Sequence, residues 1–203
     1  MICKRNHHPE EHRQTLDRLM IIPDEDACFK LLEKYGTPHH IILHSEKVWQ
    51  VARILAEGLF HRNHALEVDL LKASCLLHDI GKYPCIVDGT KFHDIRGEEI
   101  LISEGYPAVA RIVVQHVILR TEIPPVAEEH VLFYADKRVV HDEVVTLENR
   151  FQYLQDTYGK TAKAVDRLMI MKQNTIDLET EIFNLLDFAP QDIPELLEEH
   201  SRK

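Results

Sequence analysis

A chain of 203 residues, 44% hydrophobic and 29% charged, is long enough to bury one real core and too apolar to stay disordered. A formal charge of −10 argues against a protein that tracks extended nucleic acid through its overall field. It leaves room for a small anionic substrate, because a metal centre supplies local positive charge that the net number hides. No stretch approaches the apolar length of a membrane span, and the basic start MICKRNHH has no hydrophobic region behind it, so neither a transmembrane protein nor a secretory signal is expected. Cys3, Cys28, Cys75 and Cys85 stand at wide, irregular spacings without a C-x-x-C, which predicts a reducing, cytoplasmic setting without a disulfide framework or thiolate zinc site.

In chain order, residues 1–22 read as a leader with a short helix over 15–22. Pro23 and Asp24 then start a helix in which Cys28, Leu31, Leu32 and Tyr35 recur at amphipathic spacing, ended by Gly36 and Pro38. A second helix is predicted over 40–60 with Val48, Val51, Ala52, Leu55 and Leu59 on one stripe; four residues back along that stripe lies His44. A third, over 70–80 and capped by Asp69, is apolar nearly all round and should be central. Leu71, Ser74, Cys75 and His78 share one of its faces. Residues 83–92 read as a loop leading to His93. Further helices are predicted over 95–104, 107–119, 126–141, 147–158 and 161–186, punctuated by Gly105, Gly159 and Ile123-Pro124-Pro125. Residues 188–203 form an acidic tail expected to lie at the periphery of a domain spanning 23–187. The fold class is all-α, with no convincing strand pair.

The strongest chemical signal is Leu76-Leu77-His78-Asp79-Ile80-Gly81-Lys82. An imidazole and a carboxylate at the end of a buried helix are hard to justify as packing, since a buried ionised Asp costs several kcal/mol unless it is paired or metal-bound. Partners exist: His44 on the core stripe, and Asp136 in the apolar run Leu132-Phe133-Tyr134-Ala135. Two more histidines fall between, His93 at a helix start and His116 among Ile112, Val113, Val117 and Leu119. Such nitrogen and oxygen donors suit a borderline divalent ion: Fe, Mn, Co, Ni or Zn.

The order His … His-Asp … His … His … Asp resembles the HD superfamily of metal-dependent phosphohydrolases, LLHDIGK being its HDIG form. The resemblance spans about residues 24–151. It implies a helical bundle with His44, His78, Asp79 and Asp136 on a first metal. In members with the extra histidines, it implies His93 and His116 on a second metal, with Asp79 bridging. This chain carries Gly97-Glu98 where such relatives often have Gly-Ala. The letters Gly105-Tyr106-Pro107 lack the fuller pattern of the HD-GYP subfamily and read as a helix stop and start.

The resulting expectation is a hydrolase of a small phosphorylated substrate, such as a nucleotide, in which a metal-bound hydroxide attacks a phosphoryl group clamped by a second ion. Asp79 and Lys82 would carry catalysis; Lys82, Arg96, Arg120 and Lys137 would contact the phosphate. A non-catalytic nucleotide-sensing module and a di-iron oxygenase are the alternatives. His40, His61, His64 and the pair His141-Asp142 read as surface groups. The helix over 161–186 could pack on its own domain or on a second copy in a homodimer.

Overall fold

The computed structural model describes residues 21–90, 92–121 and 125–202; Cys3 and most of the short helix expected over 15–22 lie outside them. Helix α1 (Glu25–Lys34) begins as the sequence implies, its first-turn Ala27 N–H donating to Asp24 Oδ1 at 2.8 Å. Helix α2 (His39–His61) runs 23 residues and turns Val48, Val51, Ala52, Leu55 and Leu59 fully inward. Helix α3 (Val68–Leu77) is buried on nearly every side, with Leu71, Cys75 and Leu77 fully enclosed, and packs against α1 and α2. A helix apolar all round has no solvent face to offer, so it becomes the axis around which the others gather. Asp69 does not cap it. Glu67 holds that position and Asp69 falls in the first turn, where a carboxylate still complements the helix dipole.

Residues 82–88, expected within a loop, form the short helix α4 (Lys82–Asp88). Pro84 is compatible because it sits in the first turn, where its missing N–H costs nothing, and Gly89 closes the helix at φ 69°. Helix α5 (His93–Ser103) packs against α4 and against α6 (Pro107–Val113). Helix α6 stops six residues earlier than predicted, and His116 lies in the turn that follows rather than on a helix.

Helix α7 (Glu128–Lys137) runs between α2, α3 and α6, with Val131, Leu132, Tyr134 and Ala135 fully buried. After it the chain makes a small antiparallel hairpin, β1 (Val139–Val140) and β2 (Glu143–Val144), pairing Val139 with Val144 and Val140 with Glu143. Two-residue strands carry no readable alternation. The turn is closed by His141 at φ 56°, a left-handed conformation that a non-glycine residue adopts only where its surroundings hold it. Otherwise the described residues are helical, as predicted. Helix α8 (Leu147–Tyr158) and α9 (Ala162–Phe183) form a helical hairpin, each started by a threonine whose hydroxyl accepts an N–H, Thr146 from Asn149 and Thr161 from Ala164. The closing segment is not loose: α10 (Ile193–Ser201) packs on α2, with Ile193 fully buried and His200 Nε2 2.8 Å from Glu57 Oε2. No described helix is long and apolar enough to cross a membrane.

Candidate metal centre

Three elements deliver the four predicted ligands of the first set to one place. His44 comes from the core stripe of α2, His78 and Asp79 from the turn ending α3, and Asp136 from α7. All four are at least nine-tenths buried. His44 Nε2 lies 3.1 Å from Asp136 Oδ1 and 3.9 Å from Asp79 Oδ2; His78 Nε2 lies 3.3 Å from Asp79 Oδ2 and 3.9 Å from Asp136 Oδ1. Donor atoms about 2.1 Å from a common ion sit roughly 3.0–3.4 Å apart when adjacent and farther when opposed, so these separations fit one cation.

A second set shares the same aspartate. His93 Nε2 and His116 Nε2 are 3.1 Å apart, and each faces Asp79 Oδ1, at 3.6 and 3.5 Å. Asp79 thus turns one oxygen toward each set. The triads His44–His78–Asp79 and Asp79–His93–His116 each offer three ligand atoms close enough together to hold a metal ion.

The protonation pattern matches. His44 Nδ1 bonds the His141 carbonyl at 2.8 Å, His78 Nδ1 the Cys75 carbonyl at 2.8 Å, and His116 Nδ1 the Val113 carbonyl at 2.7 Å. A carbonyl only accepts, so each Nδ1 carries the proton and each Nε2 is left as a lone pair directed into the site. His78 Nε2 and Asp79 Oδ1 are buried with no hydrogen-bond partner. Buried polar atoms without partners are costly, and a cation between them removes that penalty. The donor set therefore fits a divalent transition metal.

Positive side chains brace the carboxylates. Lys82 Nζ reaches Asp79 Oδ2 at 2.5 Å; Lys137 Nζ reaches Asp136 Oδ2 at 2.7 Å and Arg150 Nη2 reaches Asp136 Oδ1 at 3.2 Å. Burial alone would raise both acids. The charges of His78 and Lys82 outweigh it at Asp79, and those of Lys137 and Arg150 at Asp136, so both are held well below the usual carboxylate range. Burial lowers His116, and burial, with His116 close by, lowers His93 to about 4. At His78 burial is outweighed by Asp79 and Asp136 and the pKa ends raised.

The remaining predicted residues divide. Lys82 stands beside Asp79 with about a third of its side chain exposed. Lys137 is buried, donates to the His116 carbonyl at 2.7 Å and lies over the Phe133 ring, so it stitches the two sets together from behind. Arg96 points to Asp88 and Glu99 on the surface, and Arg120 lies 3.8 Å from buried Asp94. Neither arginine meets a candidate ligand.

Two contributors escaped the sequence reading. Arg150 was legible, because Leu147, Arg150, Phe151 and Leu154 make up the buried stripe of α8 and an arginine there needs an acid. The His141 carbonyl was not, since a backbone group presented by a two-residue turn leaves no mark in the sequence.

The local path of the chain explains the convergence. A side-chain carbon on Gly81 would stand 2.2 Å from the His93 carbonyl oxygen and 2.6 Å from the Gly97 nitrogen. Only a residue without Cβ allows the α3–α4 turn to press against the first turn of α5, and this contact carries His93 to Asp79.

Comparison with known proteins identifies the domain and corrects the expected function. The family described as HD domain matches residues 41–141. A tRNA (cytidine(56)-2'-O)-methyltransferase of Thermoplasma volcanium is 32% identical over 181 residues, 79% of this chain and 50% of that protein. The enzyme of the same name from Picrophilus torridus is 29% identical over 152 residues, 68% of this chain and 41% of its own length. The chain thus spans about half the length of these relatives, or less. No solved structure matches. Relatives named for methyl transfer to tRNA overturn the expected phosphohydrolase activity and the expected small-substrate partner without extended nucleic acid. Net charge does not decide the matter, because it averages over the whole surface, whereas nucleic acid is met by local patches. With His44, His78, Asp79, His93, His116 and Asp136 all within or bounding one buried cluster, and with that cluster inside the matched segment, the chain belongs to the HD-domain family.

Proposed function

We propose that this chain is a divalent-metal-binding HD domain that works in tRNA modification, engaging the RNA for a ribose methyltransferase whose methyl-transferring part lies in polypeptide corresponding to the half of the relatives that this chain does not span. The observation that carries the metal-binding role is Asp79, which turns one oxygen to each of two ligand triads. The tRNA assignment is supported by 32% identity over 79% of the chain to a tRNA methyltransferase.

In this reading His44, His78, Asp79 and Asp136 hold one ion, and Asp79, His93 and His116 hold another. Bound there, such ions supply concentrated positive charge that can accept an anionic oxygen as a ligand. The chain's own part is to fix the geometry. Three backbone carbonyls lock the ring tautomers, Lys137 and Arg150 hold Asp136 ionised, and Lys82 stands beside Asp79 where part of its side chain meets solvent.

The test is fluorescence anisotropy of a labelled tRNA transcript titrated with metal-loaded protein, with chelated protein and with Asp79→Ala. Saturable binding by the loaded protein, weakened in the other two, is expected. A fully metal-loaded protein that fails to bind tRNA even at low salt overturns the reading.

A further inference from the structure

The α8–α9 hairpin carries a feature that the metal centre does not use. Thr175, Leu178 and Ile182, the buried residues of α9, all lie in its C-terminal half. The N-terminal half, about 16 Å long at the rise of an α-helix, buries no residue. Residues 160–172 hold Lys160, Lys163, Arg167 and Lys172 against a single acid, Asp166, in a chain whose formal charge is −10.

These cations are arranged. Lys163, Arg167, Ile170 and Asn174 follow one another at helical spacing on a single exposed stripe of α9, beside the stripe that packs inward. Among the described residues Lys163 and Arg167 make no side-chain ion pair or hydrogen bond; Lys160 reaches the Asp156 carbonyl, and Lys172 pairs with Glu148. Exposed apolar and aromatic groups interleave with them: Ile170 is 63% exposed, Met169 64% and, at the end of α8, Tyr158 58%. Cations that the chain does not pair, on the exposed side of a helix, are available to a polyanion. A flexible cation beside an exposed ring or aliphatic surface is also the combination that meets a phosphate backbone and an unpaired base.

We infer that the exposed stripe of α9 centred on Lys163 and Arg167 is a contact surface for the phosphate backbone of tRNA. The inference rests on the tRNA reading above and adds to it where the RNA lies. Each phosphate contact releases condensed counterions, so binding through this surface weakens steeply with salt, and each lost contact reduces the slope of log affinity against log salt by roughly one.

The experiment measures the affinity of a tRNA transcript for the full chain from 50 to 200 mM salt, comparing wild type, Lys163→Glu/Arg167→Glu, and Lys30→Glu/Arg111→Glu. The last pair makes the same charge change at exposed cations on α1 and α6. A fall of about tenfold or more and a slope shallower by about two are expected for the α9 variant, with a much smaller change for the control. If wild type binds and both double variants lose affinity equally, or the α9 variant binds like wild type, this surface is not the contact and the tRNA reading survives. If wild type does not bind tRNA at all, both fall.

Discussion

Replacing Gly81 by alanine probes the link between backbone packing and ligand placement. The new methyl carbon would stand 2.2 Å from the His93 carbonyl oxygen, where an ordinary carbon–oxygen contact is about 3.3 Å. The α3–α4 turn and the start of α5 must therefore separate by about 1 Å. Coordination tolerates only about 0.2 Å, so His93 leaves the second ligand set, while His44 and Asp136 are carried by α2 and α7 and stay in place. Overpacking of this kind costs about 1–3 kcal/mol, a fall in melting temperature of roughly 2–10 °C for a domain of this size. Elemental analysis of the purified variant, with a thermal melt, reads both effects: one ion per chain instead of two, and the lowered midpoint. A variant that binds two ions and melts with the wild type would refute the idea that this glycine sets the position of His93.

Lys137→Met keeps the packing over Phe133 but removes the cation beside Asp136, and metal affinity in a competition titration should fall roughly 10–100-fold, as for other outer partners of metal ligands; unchanged affinity would make Lys137 purely structural. The metal-free protein should lose stability as pH falls from about 6.5 to about 4. His93, lowered to about 4 by burial and His116, and His116, lowered by burial, refuse protons that the unfolded chain takes up, against which the raised pKa of His78 works in the opposite direction. Denaturant midpoints at pH 7.5 and 5 check the sign, and a flat or rising midpoint on acidification would contradict it. Burial pushes the Cys28 thiol up to about 12 and Cys75 well above its ordinary range, so both should react with a thiol reagent only on unfolding; rapid native-state labelling at either, mapped by mass spectrometry, would count against the core packing. Tyr134→Phe removes a buried hydroxyl that donates to Glu179 and accepts from Arg138 at 2.6 Å, and chemical denaturation should show a loss of about 1–2 kcal/mol with metal content unchanged.

The parts of this molecule that were legible in its sequence are those with a period. The stripes of α2 and α8, the all-round apolar α3 and the cap at Asp24 follow from spacing alone, and so does the inward direction of His44. What escaped depended on contacts distant in sequence. Helix α4 was hidden because Pro84 and Gly89 read as loop residues until one is placed in a first turn and the other at a left-handed cap. Helix α6 ends at Val113 because the His116 ring takes the carbonyl that a further turn would have used, a choice made by the site and not by local propensity. Lys137 and Arg120 look alike as charges near ligands in the sequence; three-dimensional packing buries one against Asp136 and leaves the other beside Asp94. Function was less legible than fold, because the motif specifies a place for metal ions and leaves open what is brought to them.

Crystals soaked in Mn²⁺ show whether Asp79 joins two cation sites. Two anomalous peaks are expected about 3.5–4 Å apart, one on either side of Asp79, each roughly 2.0–2.2 Å from its ligand atoms: His44, His78 and Asp136 for one, His93 and His116 for the other. Peaks elsewhere on the chain, or none at saturating Mn²⁺, would contradict it.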